Sequence, residues 1–231
     1  LYGAGILPDW WGDKQSIENK SALKHRFMSN NSILFKQKPS KAILEIIFDL
    51  MRETGEPGFV NIESANKRRP NAKGLNPCGE VLLDSKQVCN LTTVNIMAFI
   101  REVDGIAMLD YPGLLEAMSL SVRAGIRMTC IDLELPEWNE KHKRDRLIGA
   151  SLTGWKDAID KLGFNQDQEI SLLSLLRDVA ESETARYSYI LRIPMPLLNT
   201  TVKPEGTLSQ VANGDSSGLH VSQAEYSIRR V

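Results

Sequence analysis

Cysteine is scarce in this sequence, with three in 231 residues. An odd and low count argues against a disulfide scaffold, and in a reducing compartment each thiol is then either packing or chemistry. Long apolar runs are also missing. No stretch approaches the roughly 20 apolar residues that span a bilayer, and the opening Leu1-Tyr2-Gly3-Ala4-Gly5 lacks the basic-then-apolar layout of a signal peptide. A protein working in the cytoplasm, away from membranes, is expected. Excess charge is absent, since 28 Lys and Arg stand against 29 Asp and Glu. No bulk field draws a polyanion, so no nucleic-acid partner is predicted. No repeat or low-complexity segment interrupts the chain. What is present, 42% hydrophobic and 25% charged residues, suits one sizeable core or two small ones. The chain starts without Met and stops at Ser227-Ile228-Arg229-Arg230-Val231, with no closing turn. Residues 1–231 are therefore expected to be one partial domain, lacking its N- and C-terminal parts.

Periodicity gives a coarse map. Ile43, Ile46, Ile47 and Leu50 fall at i, i+3, i+4 and i+7 and predict a helix over 40–54, with Ser40 as N-cap and Gly55 as the left-handed stop. Glu56-Pro57-Gly58 reads as a turn and 59–62 as a short strand. A long polar segment over 63–74 then leads to a loop carrying Asn76-Pro77-Cys78-Gly79-Glu80, flanked by strand-like 81–83 and 88–96. Leu114, Leu115, Met118, Val122 and Ile126 predict a helix after Tyr111-Pro112. Residues 146–152 read as a small-residue strand, 155–162 as a helix closing at Gly163, 168–190 as a longer helix and 199–202 as β-prone. Lys203-Pro204-Glu205-Gly206-Thr207 is expected to turn into a further helix. Strands alternating with helices argue for an α/β architecture, whose chemistry sits at the strand ends.

The loop at 76–80 holds the sharpest chemistry. A thiol lies two residues from a carboxamide and two from a carboxylate. In locally extended backbone, alternate side chains project to one side, so Asn76, Cys78 and Glu80 are candidates to face one ligand. Glu80 would accept a proton while Asn76 donates and accepts hydrogen bonds. A small apolar filler after a proline remains the bland alternative for Cys78. Cys89 follows eleven residues later, but His25, His142 and His220 are scattered without zinc-ligand spacing, so no metal site is predicted. Pro204, Gly206, Thr207, Leu208 and Ser209 place a glycine and two hydroxyls at a strand-to-helix junction, where free N–H groups suit a phosphate. An ordinary turn is the alternative there. Cys130 is expected to be a buried filler, Trp10-Trp11 to be packing, and 140–146 to be a solvated face. A lone His220 carries little.

The run Asn76-Pro77-Cys78-Gly79-Glu80, with a second cysteine eleven residues on in Cys89-Asn90-Leu91-Thr92-Thr93-Val94-Asn95, resembles the active-site finger loop of the adenosylcobalamin-dependent ribonucleotide reductases. Met28-Ser29-Asn30-Asn31-Ser32, Gly55-Glu56-Pro57-Gly58, Arg146-Leu147-Ile148-Gly149 and the run from Thr200 to Thr207 agree in order, so the likeness spans nearly the whole chain. The resemblance implies a ten-stranded α/β barrel with the finger loop inside it. It implies that Cys78 forms a thiyl radical, that Glu80 deprotonates the ribose 3′ hydroxyl, that Asn76 holds the ribose hydroxyls and that Cys89 is half of the reducing dithiol. It implies a phosphate-binding role for residues 204 and 206–209, where Glu205 departs from the small neutral residue common in the family. The ligands implied are a ribonucleotide, of the triphosphate type, with adenosylcobalamin as radical source. A thioredoxin-type reductant would act through a C-terminal cysteine pair that this sequence lacks. The partner thiol of Cys89 has no counterpart here, since Cys130 comes later and in another context. Two alternatives stand: the large subunit of a metal-radical reductase acting on diphosphates, and a nucleotide-binding module without catalysis.

Overall fold

A computed structural model describes residues 32–212, 215–222, 224 and 226. The chain divides into two compact units, Leu1–Ser85 and Lys86–Val231. Met28 to Asn31, Trp10-Trp11 and His25 lie outside the described residues.

In the first unit, β1 (Ser32–Phe35) pairs in parallel with β2 (Gly58–Asn61) across the helix α1 (Lys41–Thr54). The α1 boundaries follow the local signals read from the sequence. Ile43 N–H donates to Ser40 Oγ at 3.3 Å, and Gly55 adopts φ 76° while its N–H closes on Met51 O. The polar segment after β2 is not all loop as expected. It forms α2 (Ile62–Arg68), started by Asn61, whose Oδ1 accepts from Ser64 N at 3.0 Å. This helix buries none of its residues, so no apolar stripe exists for periodicity to detect. The short antiparallel strands β3 (Gly74–Leu75) and β4 (Leu82–Leu83) then form a hairpin around residues 76–81.

The second unit is built on parallel pairing of β5 (Asn90–Asn95) with β8 (Ile148–Thr153), in register from Asn90 against Ile148 to Asn95 against Thr153. A 3₁₀ turn (Ile96–Phe99) leads from β5 into an antiparallel hairpin, β6 (Ile100–Val103) and β7 (Ile106–Leu109). The sequence reading missed this hairpin, although its Asp104-Gly105 turn has both residues at positive φ, as a two-residue hairpin loop requires. The chain returns through α3 (Tyr111–Met128) and α4 (Pro136–Asp145) to β8, then continues through α5 (Trp155–Leu162) and α6 (Gln166–Leu191). Residues 197–201 run alongside β8 as the β-prone reading expected, but irregularly. Ile148 N donates to Leu198 O, Ala150 N to Asn199 O and Thr201 N to Ala150 O, around one parallel bridge between Ala150 and Thr200.

The core lies on the even-numbered face of this pair. Val94, Ile148, Ala150 and Leu152 meet Leu114, Met118, Val122 and Ile126 of α3, and Leu172, Leu176 and Ala180 of α6 close the layer. Fully burying each large aliphatic side chain contributes about 1.5–3 kcal/mol. Close approach requires small residues at two points. A Cβ on Gly125 would lie 3.2 Å from Ile148, and one on Gly149 would lie 2.7 Å from both Leu91 and Thr201 side chains. Among the described residues the strands pair two by two and no closed barrel forms. No helix among them is long and apolar enough to cross a membrane.

Two expectations fail in the α3–α4 region. The run 140–146 is not a solvated face: it belongs largely to α4, and His142, Asp145 and Arg146 are buried. Each makes polar contacts inside, although His142 Nδ1 and Arg146 Nε find no hydrogen-bond partner among the described residues. His142 Nε2 donates to Met128 O at 3.2 Å, Gln87 donates to the Asp145 carboxylate, and Arg146 Nη1 donates to Thr129 O and Oγ1 at 3.1 and 3.0 Å. Charge in sequence therefore concealed burial. Cys130, expected inside, is exposed. It follows the α3 C-cap Thr129, and its Sγ reaches back to Ile126 O at 3.6 Å on the outer side of the last turn.

Two predictions follow from this packing. Gly149→Ala forces a methyl against Leu91 and Thr201 and is expected to destabilise the fold by about 1–3 kcal/mol, seen as a lower urea midpoint at unchanged m. Burial in the first place, and then the neighbouring cations Lys143 and Arg146, hold the His142 imidazole below its ordinary range, against the opposing pull of the Met128 carbonyl. The unfolded chain then takes up a proton, from about pH 6.5 downward, that the native state resists. Stability should fall as the pH drops below about 6.5, ahead of any loss from carboxylates. His142→Gln should flatten that part of the profile, and an unchanged slope would exclude His142 as its source.

Candidate active site

The first group of candidate residues occupies the loop between β3 and β4. Asn76 N–H donates to Val81 O at 3.3 Å, and Gly79 N–H donates to Asn76 O at 3.0 Å. The Asn76 side chain closes the loop as well, because Val81 N–H donates to Asn76 Oδ1 at 3.0 Å. Residues 77–80 thus form a four-residue hairpin loop built on a turn, a common hairpin connection. Pro77 sits where its fixed φ and missing N–H cost nothing. Gly79 takes φ 82°, which a side chain would strain. Cys78 is exposed at the crest, while Asn76 and Glu80 are half-buried on the two shoulders. One oxygen of the Glu80 carboxylate, Oε2, is shielded from solvent. The loop location agrees with the sequence reading, but a turn replaces the extended alternation expected of it. Because one lone pair of Asn76 Oδ1 is spent on Val81, the carboxamide is left mainly its Nδ2 donor for a ligand.

The second group belongs to the β5–β8 pair. Cys89, half-buried, lies one residue before β5. It shares parity with Leu91, Thr93 and Asn95, the residues on the face turned away from α3. The assignment of faces is independent of the cysteine, because Thr92 on the other face accepts from Ser121 of α3 at 2.8 Å. The odd-numbered face is polar: Thr93 and Asn95 lie beside Ser151 and Thr153 of β8.

Onto that face fold residues 203–212 and 215–219. Lys203 N–H donates to Ser151 Oγ at 3.1 Å, Thr93 Oγ1 donates to Glu205 Oε1 at 2.6 Å, and Lys203 Nζ lies 2.9 Å from both Thr93 Oγ1 and Glu205 Oε1. Asn95 Nδ2 donates to Asp215 Oδ2 at 2.8 Å, and Gly218 N–H donates to Thr153 Oγ1 at 3.2 Å. Glu205 is therefore held on the C-terminal half of β5, while Asp215 and Gly218 bond the C-terminal residues of β5 and β8, the end at which α/β folds place ligands. The helix expected after Thr207 is a single turn, α7 (Leu208–Val211). So short a helix adds little dipole, and any anion recognition rests on individual groups. Ser209 is fully buried, with Oγ 2.9 Å from Ser217 Oγ and N–H donated to Glu205 O. The N–H groups of Thr207 and Leu208 donate to no partner among the described residues.

Glu205 was read in the sequence as a charge where the family commonly has a small neutral residue. Its carboxylate is buried against Thr93 and Lys203. Sequence reasoning missed Thr93, Asn95, Ser151, Thr153 and Lys203 as the groups that hold this loop. The polar content of Cys89-Asn90-Leu91-Thr92-Thr93-Val94-Asn95 was the available signal, because a strand buried on both faces is usually apolar throughout. His220 joins none of these groups: its N–H closes a turn on Ser217 O.

Residues 5–179 match the family model described as the ribonucleotide reductase, barrel domain. A protein of Mycobacterium phage D29, named as an adenosylcobalamin-dependent ribonucleoside-triphosphate reductase, is 31% identical over 82% of this chain and 28% of its own. The adenosylcobalamin-dependent ribonucleoside-triphosphate reductase of Lactobacillus helveticus is 29% identical over 94% of this chain and 32% of its own. That of Lactobacillus leichmannii is 28% identical over 93% and 32%. The chain thus spans about a third of the length of the curated relatives it matches. Its fold is like that of a solved B-12 dependent (class II) ribonucleotide reductase, with a TM-score of 0.70 at 24% identity over 88% of this chain and 32% of that one. The chain belongs to the ribonucleotide reductase barrel-domain family.

Proposed function

We propose that this protein reduces ribonucleotides, of the triphosphate type, to 2′-deoxyribonucleotides, with Cys78 as the radical-carrying residue. The observation that carries this reading is the exposed Cys78 thiol at the crest of a closed hairpin loop, in a chain of this family. Residues 1–231 would form part of one catalytic barrel domain, with the loop at 76–81 as the finger inside the barrel. The protein would work in the cytoplasm.

The chemistry assigns each residue one task. The Cys78 thiyl takes the hydrogen atom from the ribose 3′ carbon, and Glu80 accepts the 3′ hydroxyl proton. The 2′ hydroxyl takes a proton from the dithiol and leaves as water. Cys89 and a partner thiol together supply two electrons and two protons, one proton to that water and one hydrogen to the 2′ carbon, and become a disulfide; Glu80 returns its proton to the 3′ oxygen and Cys78 its hydrogen atom to the 3′ carbon. Asn76 would hold the sugar hydroxyls through Nδ2, its Oδ1 being engaged with Val81. Pro204, Gly206, Thr207, Leu208 and Ser209 would cradle the phosphates, with the unengaged N–H groups of Thr207 and Leu208 as donors.

Adenosylcobalamin, which the relatives' names specify, would supply the radical that oxidises the Cys78 thiol. The exposed sulfur fits an approach by such a group; among the described residues no cluster of side chains marks its seat. A thioredoxin-type protein would re-reduce the dithiol through a C-terminal cysteine pair.

The test is deoxynucleotide formation by the full-length enzyme, with adenosylcobalamin and a dithiol supplied. Cys78→Ser should abolish product, while Cys89→Ser should stop repeated turnover and divert the sugar radical into side products. Product at the wild-type rate from either variant would remove that residue from its role. A requirement for a second protein instead of adenosylcobalamin would favour the metal-radical type. Asn76→Ala should loosen the loop before it touches chemistry. Loss of one hydrogen bond contributes about 0.5–1.5 kcal/mol, and faster exchange of the Val81 amide should accompany a fall in activity. Unchanged exchange would contradict the loop-holding role.

A further inference from the structure

Resting on the reading of 204–209 as the phosphate loop, we infer that Glu205 is a specificity-determining residue that keeps Lys203 out of phosphate recognition. Lys203 and Glu205 are the only charged side chains between Asn199 and Ala212. Lys203 lies one residue before the loop, and an unpaired ammonium there would be the loop's electrostatic handle on a polyanion. It is not unpaired. Its Nζ is 2.9 Å from Glu205 Oε1 and 2.9 Å from Thr93 Oγ1, and the Glu205 side chain is only 2% exposed.

Three features hold that arrangement in place. Thr93 bridges it by donating to the same Glu205 oxygen at 2.6 Å while accepting from Lys203. The Lys203 backbone is fixed from both sides, by its N–H on Ser151 Oγ and by Gly218, where a Cβ would lie 2.3 Å from Lys203 O. Glu205 itself adopts φ 54°, a left-handed conformation that strains a non-glycine residue. The surrounding bonds thus over-determine a strained glutamate whose carboxylate ends on the ammonium.

Charge balance gives the consequence. With Lys203 neutralised, the loop carries no net charge, and phosphate is recognised through N–H and hydroxyl groups that count oxygens rather than charges. Such a loop reads the difference between a diphosphate and a triphosphate weakly. An ammonium released from its partner would read it strongly, since the triphosphate carries more negative charge.

Glu205→Gln tests this in the full-length enzyme, because the amide keeps the shape and can still bond Thr93 while losing the charge. At low ionic strength, KM for a ribonucleoside triphosphate should fall by a factor of about 3–10, with a smaller fall for the diphosphate and kcat within about twofold. The gain should vanish near 1 M salt, where the Debye length is about 3 Å. Adding Lys203→Met to Glu205→Gln should return KM and its salt dependence to the wild-type values. An unchanged or raised KM in soluble, folded Glu205→Gln protein, or an equal effect on both substrates, would overturn the inference. The double variant, which leaves no orphaned buried charge, gives a second reading: a tenfold rise in its KM over wild type would show that Lys203 already grips phosphate and would overturn the inference. A wild-type enzyme that reduces no ribonucleotide would instead defeat the functional reading on which this one rests.

Discussion

Parallel pairing of β5 with β8 decides which side chains of the second unit are core and which can meet a ligand. The register sets Thr92 and Val94 beside Ala150 and Leu152, under α3 and α6, and sets Thr93 and Asn95 beside Ser151 and Thr153 on the other face. A slip of one residue would exchange the two sets. Polar groups would then enter an aliphatic layer, and the anchors of Glu205, Asp215 and Gly218 would be lost. The small residues at the contact points protect the register. Gly125 admits Ile148 and Gly149 admits Leu91 and Thr201, so the helix and the third chain segment both approach the strands closely.

Long-range hydrogen bonding then converts that register into a site. Thr93 and Glu205 are 112 residues apart in sequence, Asn95 and Asp215 are 120 apart, and each pair meets only because the strands run side by side. The buried ions are tolerated on the same terms. Glu205 is matched by Lys203, and Glu183 on α6 first by Arg186 and then by Arg123, which hold its carboxyl below the usual range against the opposing effect of burial. A buried carboxylate without such partners would be strongly destabilising. The loop at 76–81 is built differently. It is closed locally, by Asn76 backbone and side chain onto Val81 and Gly79, so its shape needs no distant partner.

The sequence was most legible where structure is local. Ser40 and Gly55 bound α1 as read, and α5 runs from Trp155 to Leu162 and stops at Gly163 as read. Caps and left-handed glycines act within one turn, so the residues that set them are neighbours in the chain. Legibility failed where a helix has no apolar stripe, as in α2, and where polar residues are buried by partners far away, as with His142, Asp145 and Arg146. Pattern reading assigns polar residues to solvent, and only a tertiary contact can reverse that. The hairpin of β6 and β7 was a different failure, because its Asp104-Gly105 turn was in plain view.

By itself the sequence determined the family resemblance, the loop that carries Cys78 and the spacing to Cys89, because those are properties of residue order and turn chemistry. It also showed Glu205 as a departure from the family pattern, without a reason for it. Only the tertiary structure decided that the Glu205 carboxylate is buried on Lys203 and Thr93, and that Thr93 and Asn95 of β5 share a polar face with Ser151 and Thr153 of β8. The physical reason is that charge neutralisation and face assignment depend on strand register, and register is fixed by packing among residues that the chain order keeps far apart.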